Sequence, residues 1–202
     1  MCCNVESQRK EFIDIVCNNI HRDGICDLMD YLDDNGFYTC PASTKYHGAY
    51  EGGLVEHSIN VYYTLKDMIK YIFPNEPNKY SEETIAIVSL FHDLCKIDKY
   101  MKGTKNVKNK ETGEWEQVEV FEYNPNQLRL GHASASVYKI LDFILLTEEE
   151  KQAIHWHMGA FDISPYNSNY DMGSAFNNNT LAFALHMADM MATYVVENEH
   201  LN

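Results

Sequence analysis

The sequence predicts an all-α helical bundle that carries a small β-hairpin insertion. Apolar residues recur at the spacing of amphipathic helices in several stretches of the chain. Two stretches, 84–96 and 181–196, are apolar nearly all round, which is typical of helices buried inside a bundle. Residues 99–123 instead carry β-branched and aromatic residues around a Thr-Gly turn, which indicates a hairpin.

Length and composition favour one folded domain. The chain has 202 residues, of which 45% are hydrophobic, enough to form a core. We therefore predict a single domain over residues 1–202, with residues 1–36 as an N-terminal helical extension and residues 99–123 as the insertion. The two helices expected in the extension, at 5–20 and 24–32, carry packing residues and no evident chemistry.

Charge and cysteine content limit the function and the compartment. The formal net charge of -14 disfavours long nucleic acids as partners, because such binding needs clustered Lys and Arg. Nucleotides stay compatible, since a bound metal supplies local positive charge. The six cysteines include no C-x-x-C pair and predict reduced thiols. Without a signal-peptide pattern or a membrane-spanning run, the sequence predicts a soluble cytoplasmic protein.

Two histidines precede the central helix. Residues 37–53 are rich in glycine and aromatics and predict a loop, in which His47 either reaches a site or makes an ordinary hydrogen bond. An amphipathic helix is predicted over 54–73. His57 lies on its buried stripe, so this histidine is either satisfied in the core or a ligand.

The central helix is predicted over 84–96, with Ser81 as its N-cap. His92 and Asp93 lie near its end, and Lys96 shares their helical face. A buried, unpaired carboxylate is costly, and a bound cation would remove that cost by making both side chains ligands. From this stretch alone, a core histidine beside an Asp93–Lys96 ion pair is equally compatible.

The hairpin insertion carries four lysines in an acidic chain: Lys102, Lys105, Lys108 and Lys110. One interpretation is a solvated hairpin face. The other is a cap that steers a phosphorylated substrate towards the site. In the second interpretation Lys102 binds substrate together with Lys96 and His47.

The C-terminal part supplies the remaining candidates. His132 lies near the start of a helix predicted over 130–146, and Thr147 with Glu150 forms a capping box for the next helix. His155 and His157 cannot share one helical face, so one is expected to point inward.

A loop is predicted over 160–179, followed by the last helix over 181–196. Only His186 and Asp189 interrupt the apolar sequence of that helix, and they share one face. Asp189, like Asp93, is therefore a carboxylate in a helix that is expected to be buried. One buried cation site would compensate both charges. The polar tail after Val196 is expected to fray.

Inward side chains from several helices are the usual way in which a bundle builds a metal site. Imidazole and carboxylate together suit Mn, Fe, Ni, Co or Zn, with Mg as a further possibility. Two ions about 3.5–4 Å apart, bridged by Asp93, would use the whole set. A metal-activated water would attack phosphorus while Lys96 counters charge on the phosphoryl oxygens. The six candidate ligands are His57, His92, Asp93, His132, His157 and Asp189.

These motifs resemble the HD superfamily of metal-dependent phosphohydrolases, and the similar region runs from about 41 to 194. His-Asp-Leu-Cys-Lys at 92–96 is similar to the central motif of that family, with Cys95 where glycine is commoner. Gly-Gly-Leu-Val-Glu-His at 52–57 resembles a stretch of bacterial HD-domain exoribonucleases that digest from the 3′ end, and the sequences around 132, 157 and 189 continue the likeness in order.

The resemblance implies an HD-type helical bundle and a metal role for His57, His92, Asp93 and Asp189. Members with two metals add histidines that match His132 and His157. It also implies a phosphohydrolase of the nucleotidase, phosphodiesterase or exonuclease type, which cleaves a phosphoester of a nucleotide or short oligonucleotide.

Departures from the family pattern narrow the substrate. Met158 stands where the cyclic-dinucleotide branch has a second adjacent histidine, and no Gly-Tyr-Pro motif is present, which disfavours cyclic di-GMP. The segment before Phe37 is too short for the nucleic-acid-binding barrel of the exoribonucleases. A small phosphorylated molecule, such as a nucleotide, is therefore the expected substrate.

Three other interpretations remain at this stage. The chain could be a metal- and nucleotide-binding regulatory module without turnover. It could be a di-iron oxygenase, because an HD-fold oxygenase of inositol has a similar ligand set. A helical protein with satisfied core histidines would have to accommodate two buried carboxylates by coincidence.

Overall fold

The computed structural model describes residues 5–127, 129–162 and 169–198. It is mostly helical and contains one two-stranded antiparallel sheet, as the sequence predicts. The helices are α1 Val5–Asn19, α2 Ile25–Asp34, α3 Gly53–Ile72, α4 Glu82–Phe91, α5 Lys96–Lys99, α6 His132–Leu141, α7 Glu148–Trp156, α8 Asn169–Asn178 and α9 Thr180–Met191. The strands are β1 Tyr100–Lys108 and β2 Trp115–Tyr123.

Helices α3, α4, α7 and α9 form the centre of the bundle, with α3 in contact with both α4 and α9. The residues of α4 from Ile85 to Phe91 are all buried, which confirms the prediction from its apolar sequence. Helix α1 adds Phe12, whose ring lies 5.9 Å from Phe91 and 5.0 Å from Phe37. Each such buried side chain stabilises the fold by about 1.5–3 kcal/mol relative to exposure.

The ends of the central helices differ from the predicted ones. Helix α4 ends at Phe91 rather than continuing to Lys96, and tight turns follow, in which Lys96 N donates to Asp93 O at 2.9 Å. Residues three apart in such turns lie almost above one another, so Lys96 stands over Asp93. Helix α6 is shorter than 130–146, and α9 passes into a π-helical turn, Ala192–Val196.

The predicted hairpin is present, with β1 and β2 paired from Tyr100 opposite Tyr123 to Lys108 opposite Trp115. Gly113 has φ 73° in the turn, a conformation that favours glycine. Asn124 N donates to Lys99 O at 2.9 Å and closes the base of the hairpin. The hairpin therefore begins directly after α5, only a few residues after Lys96.

The loop prediction over 160–179 is wrong for much of its length. A 3-10 turn occupies Gly159–Asp162 and helix α8 occupies Asn169–Asn178, while residues 163–168 lie outside the described residues. The Asn, Gly and Ser of this segment have poor helix propensity and hide the helix from sequence analysis. Packing against α9 stabilises this helix instead, since the Phe176 ring lies 5.8 Å from the Phe183 ring and 5.5 Å from the His186 ring.

Two predicted helix caps are confirmed. Ser81 accepts a hydrogen bond from Thr84 N at 3.0 Å as the N-cap of α4. Thr147 and Glu150 form the predicted capping box of α7. The cysteines in the described residues, which are Cys17, Cys26, Cys40 and Cys95, are all free thiols. None of the helices in the described ranges is both long enough and apolar enough to cross a membrane.

Candidate metal centre

The structure brings the six predicted ligand residues into one cluster at the centre of the bundle. His57 comes from α3, and His92 and Asp93 come from the turn after α4. His132 begins α6, His157 follows α7, and Asp189 lies on α9. Four of the six are at most 2% exposed, although all are polar or charged: His57, His92, Asp93 and His157.

The two carboxylate oxygens of Asp93 face different histidines. Oδ2 lies 3.3 Å from His92 Nε2 and 3.7 Å from His57 Nε2. Oδ1 lies 2.5 Å from His132 Nε2 and 3.5 Å from His157 Nε2. One carboxylate therefore lies between two pairs of imidazoles, which is the arrangement expected of a bridging ligand.

Asp189, on α9, completes the cluster. Its Oδ1 lies 3.1 Å from His57 Nε2, within ion-pair distance. Three groups of ligand atoms within 4.8 Å of one another can be chosen from the six residues: His57 with His92 and Asp93, His92 with His157 and Asp189, and Asp93 with His132 and His157. These buried groups could hold a metal ion.

Backbone carbonyls fix the orientation of two of the histidines. His92 Nδ1 lies 2.7 Å from Ser89 O, and His157 Nδ1 lies 2.6 Å from Ile154 O. A carbonyl only accepts hydrogen bonds, so each Nδ1 carries a proton and donates it. In the neutral ring the lone pair is then on Nε2, which faces Asp93. This is the tautomer that a metal ligand needs.

Unpaired nitrogen atoms indicate what the cluster is built to bind. The Nε2 atoms of His57, His92 and His157 are buried and make no well-directed hydrogen bond among the described residues, although each lies 3.1 to 3.5 Å from a carboxylate oxygen of Asp93 or Asp189. Leaving a buried polar atom unpaired costs about 1–3 kcal/mol, so three neighbouring cases require an explanation. Divalent cations fit this donor set, because they would take these nitrogen atoms and the carboxylates as ligands.

The charges within the cluster are strongly coupled. Burial alone would raise the pKa of Asp93, but Lys96 and the surrounding histidines outweigh it and lower that pKa well below its usual range. Burial would likewise raise the pKa of Asp189, and His57 lowers it. Both carboxylates are therefore ionised, which is the form that binds a cation.

The pKa values of two histidines in the cluster shift in opposite directions. Burial lowers the pKa of His132 to about 4, despite the opposing effect of Asp93. Burial also acts to lower the pKa of His57, but Glu197 and Asp189 outweigh it and raise that pKa to about 10. In the absence of a cation His57 therefore holds a proton between two carboxylates, and a metal at Nε2 would displace that proton.

The three predicted substrate-binding residues are placed differently. Lys96 lies inside the cluster, with its Nζ 2.5 Å from Asp93 Oδ2 and its side chain 8% exposed. The His47 ring lies 5.1 Å from the His57 ring, and its buried Nε2 has no partner in the described part of the chain. Lys102 lies on the exposed hairpin, where its Nζ is 3.8 Å from Glu51 Oε2, so its role in substrate binding stays a prediction.

His155 and His157 separate as predicted. His157 is fully buried and faces Asp93, whereas His155 points away and contacts Ser134 Oγ at 3.1 Å. His186, which was not predicted as a ligand, holds the backbone behind the cluster, with its Nδ1 2.6 Å from His157 O.

A cleft of about 290 Å³ opens on the far side of His132. Lys99 Nζ and Cys95 Sγ each lie 3.1 Å from His132 Nδ1 at the cleft wall. Lys139 and Arg129 add two more cationic side chains to the lining, which also contains Asp98 and Asp142, and Lys139 pairs with Asp98. The lining therefore carries three cationic and two anionic side chains beside one candidate ligand.

Glu197 is the residue of this region that sequence analysis missed. Its side chain is 7% exposed, and its Oε1 lies 2.9 Å from His57 Nδ1. The prediction that the tail frays immediately after Val196 is therefore wrong at this residue. The polar residues after 196 suggested a solvent-exposed tail. A polar sequence does not distinguish an exposed glutamate from one that is buried against an imidazole.

The chain is similar to the dihydroneopterin 2′,3′-cyclic phosphate phosphodiesterase of Methanocaldococcus jannaschii, with 30% identity over 138 residues. The similar region covers 66% of this chain and 48% of that protein, so the chain spans about half the length of the relative. No family model matches the chain, and no solved structure matches it at a significant level.

Proposed function

We propose that this protein is an HD-type phosphohydrolase with two divalent metal ions at the His/Asp cluster. The observation that carries the proposal is the position of Asp93, whose two oxygens face separate pairs of buried histidines. A lone core histidine paired with an acid does not require this symmetry. The similarity to a named phosphodiesterase supports the same chemical class.

In this proposal Asp93 would help to hold both ions. His57, His92 and Asp189 would hold one ion with it, and His132 and His157 would hold the other. Bound metals of this kind supply a water of lowered pKa as the nucleophile and polarise a phosphoryl oxygen. The carbonyls of Ser89 and Ile154 hold His92 and His157 in the tautomer that leaves Nε2 available.

Lys96 is proposed to neutralise charge on the phosphoryl group. Its ammonium pairs with Asp93 Oδ2, and burial, which would lower the pKa of Lys96, is outweighed by Asp93, so that pKa is raised. The lysine is therefore cationic at neutral pH. A cation fixed in a water-poor site stabilises developing negative charge more strongly than the same cation in bulk water.

The substrate is proposed to be a small phosphoester, with a nucleotide or a nucleotide-like cyclic phosphate as the leading class. The cleft beside His132, which is lined by Lys99 and Arg129 among others, is large enough for part of such a molecule and too small for a folded nucleic acid. The related phosphodiesterase is named for a 2′,3′-cyclic phosphate, which belongs to this class. The net charge of -14 also favours a small ligand over a long polyanion.

The decisive experiment measures hydrolysis by purified protein with added Mn²⁺. The substrates are nucleoside mono- and triphosphates, 2′,3′-cyclic and 3′,5′-cyclic nucleotides, and short RNA and DNA oligomers. Asp93→Ala is the inactive control, and Asp67→Ala, an exposed aspartate on α3, is the matched control expected to keep activity.

Turnover of one phosphoester class by the wild type and by Asp67→Ala, but not by Asp93→Ala, would support the proposal. If Mn²⁺ binds and no phosphoester is cleaved, the proposed function fails, and a binding module becomes the better interpretation. Oxygen consumption with iron and no phosphate release would instead indicate an oxygenase.

A further inference from the structure

Glu197 lies at the end of the last helical segment, after the π-helical turn Ala192–Val196. Its Oε1 contacts His57 Nδ1 at 2.9 Å, on the ring edge opposite the one that faces Asp93. The carboxylate is thus outside the six-residue cluster but in direct contact with one of its imidazoles.

The π turn accounts for the position of this side chain. Glu197 comes eight residues after Asp189 and, in an unbroken α-helix, would point about 80° away from it. Here Glu197 N donates to Ala192 O at 2.9 Å, a hydrogen bond that spans five residues. A π turn inserts one extra residue into the helix, so Glu197 lies where the seventh residue after Asp189 would lie in a regular α-helix. That position is on the same face as Asp189. Such turns are rare and are often found at functional sites.

A second residue of α3 holds the carboxylate in place. Asn60 Nδ2 donates to the same Oε1 of Glu197 at 3.1 Å. Asn60 and His57 are three residues apart on one helical face, so both donors converge on one oxygen. Two such hydrogen bonds restrict the carboxylate to one position beside the imidazole.

We propose that Glu197 is a positioning residue that orients His57 for metal binding. This inference rests on the metal site of the proposed function. By accepting a hydrogen bond from Nδ1–H, the carboxylate leaves Nε2 as the ligand atom and makes it more basic, as in carboxylate–histidine–metal triads. His92 and His157 use neutral carbonyls for the same purpose, which makes His57 the most strongly polarised of these three ligands.

A competing explanation is an additional ion held by His47, His57 and Glu197, whose ligand atoms lie within 4.8 Å of one another. His47 Nε2 and Glu197 Oε2 are both buried without a hydrogen-bond partner in the described ranges. Such an ion would need His57 Nδ1 as a ligand. Glu197 Oε1 lies 2.9 Å from that atom and also accepts a hydrogen bond from Asn60 Nδ2, so this oxygen already has two donors and the geometry favours the positioning role.

The test is calorimetric titration of metal-free protein with Mn²⁺, which measures affinity and stoichiometry without any substrate. We expect Glu197→Ala to weaken Mn²⁺ binding by about 10–100-fold while the number of ions per chain stays the same. Glu197→Gln keeps an accepting oxygen and should recover much of the loss. Glu148→Gln, an exposed glutamate on α7, is the matched control.

Asn60→Ala keeps the glutamate and removes only its second donor, so it should weaken binding by less than Glu197→Ala. This variant keeps the inference testable if Glu197→Ala fails to fold, as judged by circular dichroism. Unchanged affinity in folded Glu197→Ala would overturn the inference. Loss of one whole ion in both Glu197→Ala and His47→Ala would overturn it in favour of the additional ion.

The inference and the proposed function can fail separately. Weaker Mn²⁺ binding by Glu197→Ala, in a protein that cleaves no phosphoester, would support the positioning role and reject the hydrolase. If the wild type cleaves a phosphoester and binds Mn²⁺ with the same affinity as Glu197→Ala, the hydrolase is supported and the positioning role is rejected.

Discussion

Lys96 stands directly over Asp93, with its Nζ 2.5 Å from Asp93 Oδ2, and both side chains are buried. The tight turns after α4 create this contact, since residues three apart are nearly eclipsed there. The lysine is therefore a close, fixed cation that stabilises a carboxylate buried as an anion.

Lys96→Met should destabilise the metal-free protein more than the metal-bound protein. Breaking a buried ion pair by removing one partner costs about 3–5 kcal/mol, because the remaining charge is uncompensated. Bound Mn²⁺ would compensate Asp93 in its place. Urea unfolding with EDTA or with Mn²⁺ measures both stabilities, and an equal loss in the two conditions would contradict this role.

Metal should stabilise the fold, and His157 should contribute to that effect. A ligand at 100 times its dissociation constant stabilises the native state by about 2.7 kcal/mol. We expect Mn²⁺ to raise the Tm of the wild type and of His155→Ala, but to raise that of His157→Ala by much less. Metal analysis should find fewer ions per chain in His157→Ala. Equal metal content in the two variants would refute the assignment of His157.

Acid should remove the stabilisation that Arg22 and Glu150 provide. Arg22 binds both oxygens of the fully buried Glu150 side chain, at 2.6 and 2.9 Å. Burial alone would raise the pKa of Glu150, but the hydrogen bonds from Arg22 and Thr147 lower it below the usual 4.5. A depressed native pKa means that the stabilisation is complete above pH 4.5 and is lost as the pH falls through the native pKa.

Glu150→Gln should therefore cost about 3 kcal/mol of unfolding free energy at pH 7, because Arg22 loses its bidentate carboxylate and keeps Glu83, at 3.4 Å, as an anionic partner. The difference from the wild type should shrink below pH 4.5. Urea unfolding at pH 7 and at pH 4 or lower measures it. Glu148→Gln, which is exposed on the same helix, should show little difference at either pH. A pH-independent deficit would contradict the assignment.

Lys99 should matter more for substrate binding than Lys102. Lys99 lines the cleft and contacts His132 Nδ1, whereas Lys102 lies on the exposed hairpin beside Glu51. Lys99→Ala should raise KM for the phosphoester about tenfold, the equivalent of about 1.4 kcal/mol. Steady-state kinetics of the two variants compare these roles. A larger effect of Lys102→Ala would instead favour the hairpin as the substrate-steering cap.

The sequence by itself determined the type of fold and the composition of the candidate site. Its helical periodicity predicted most of the helices, and the Thr-Gly turn predicted the hairpin. The two apolar stretches that Asp93 and Asp189 interrupt predicted a buried polar cluster, because an isolated buried charge is too costly to keep.

Only the tertiary structure decided the geometry within that cluster. The division of Asp93 between two pairs of histidines depends on how four helices and two turns meet, which periodicity along one helix does not encode. Helix α8 was missed because packing, rather than propensity, stabilises it. Glu197 was missed because one extra residue in a π turn shifts the helical register, so its direction follows from a hydrogen bond to Ala192 and not from the 3.6-residue spacing.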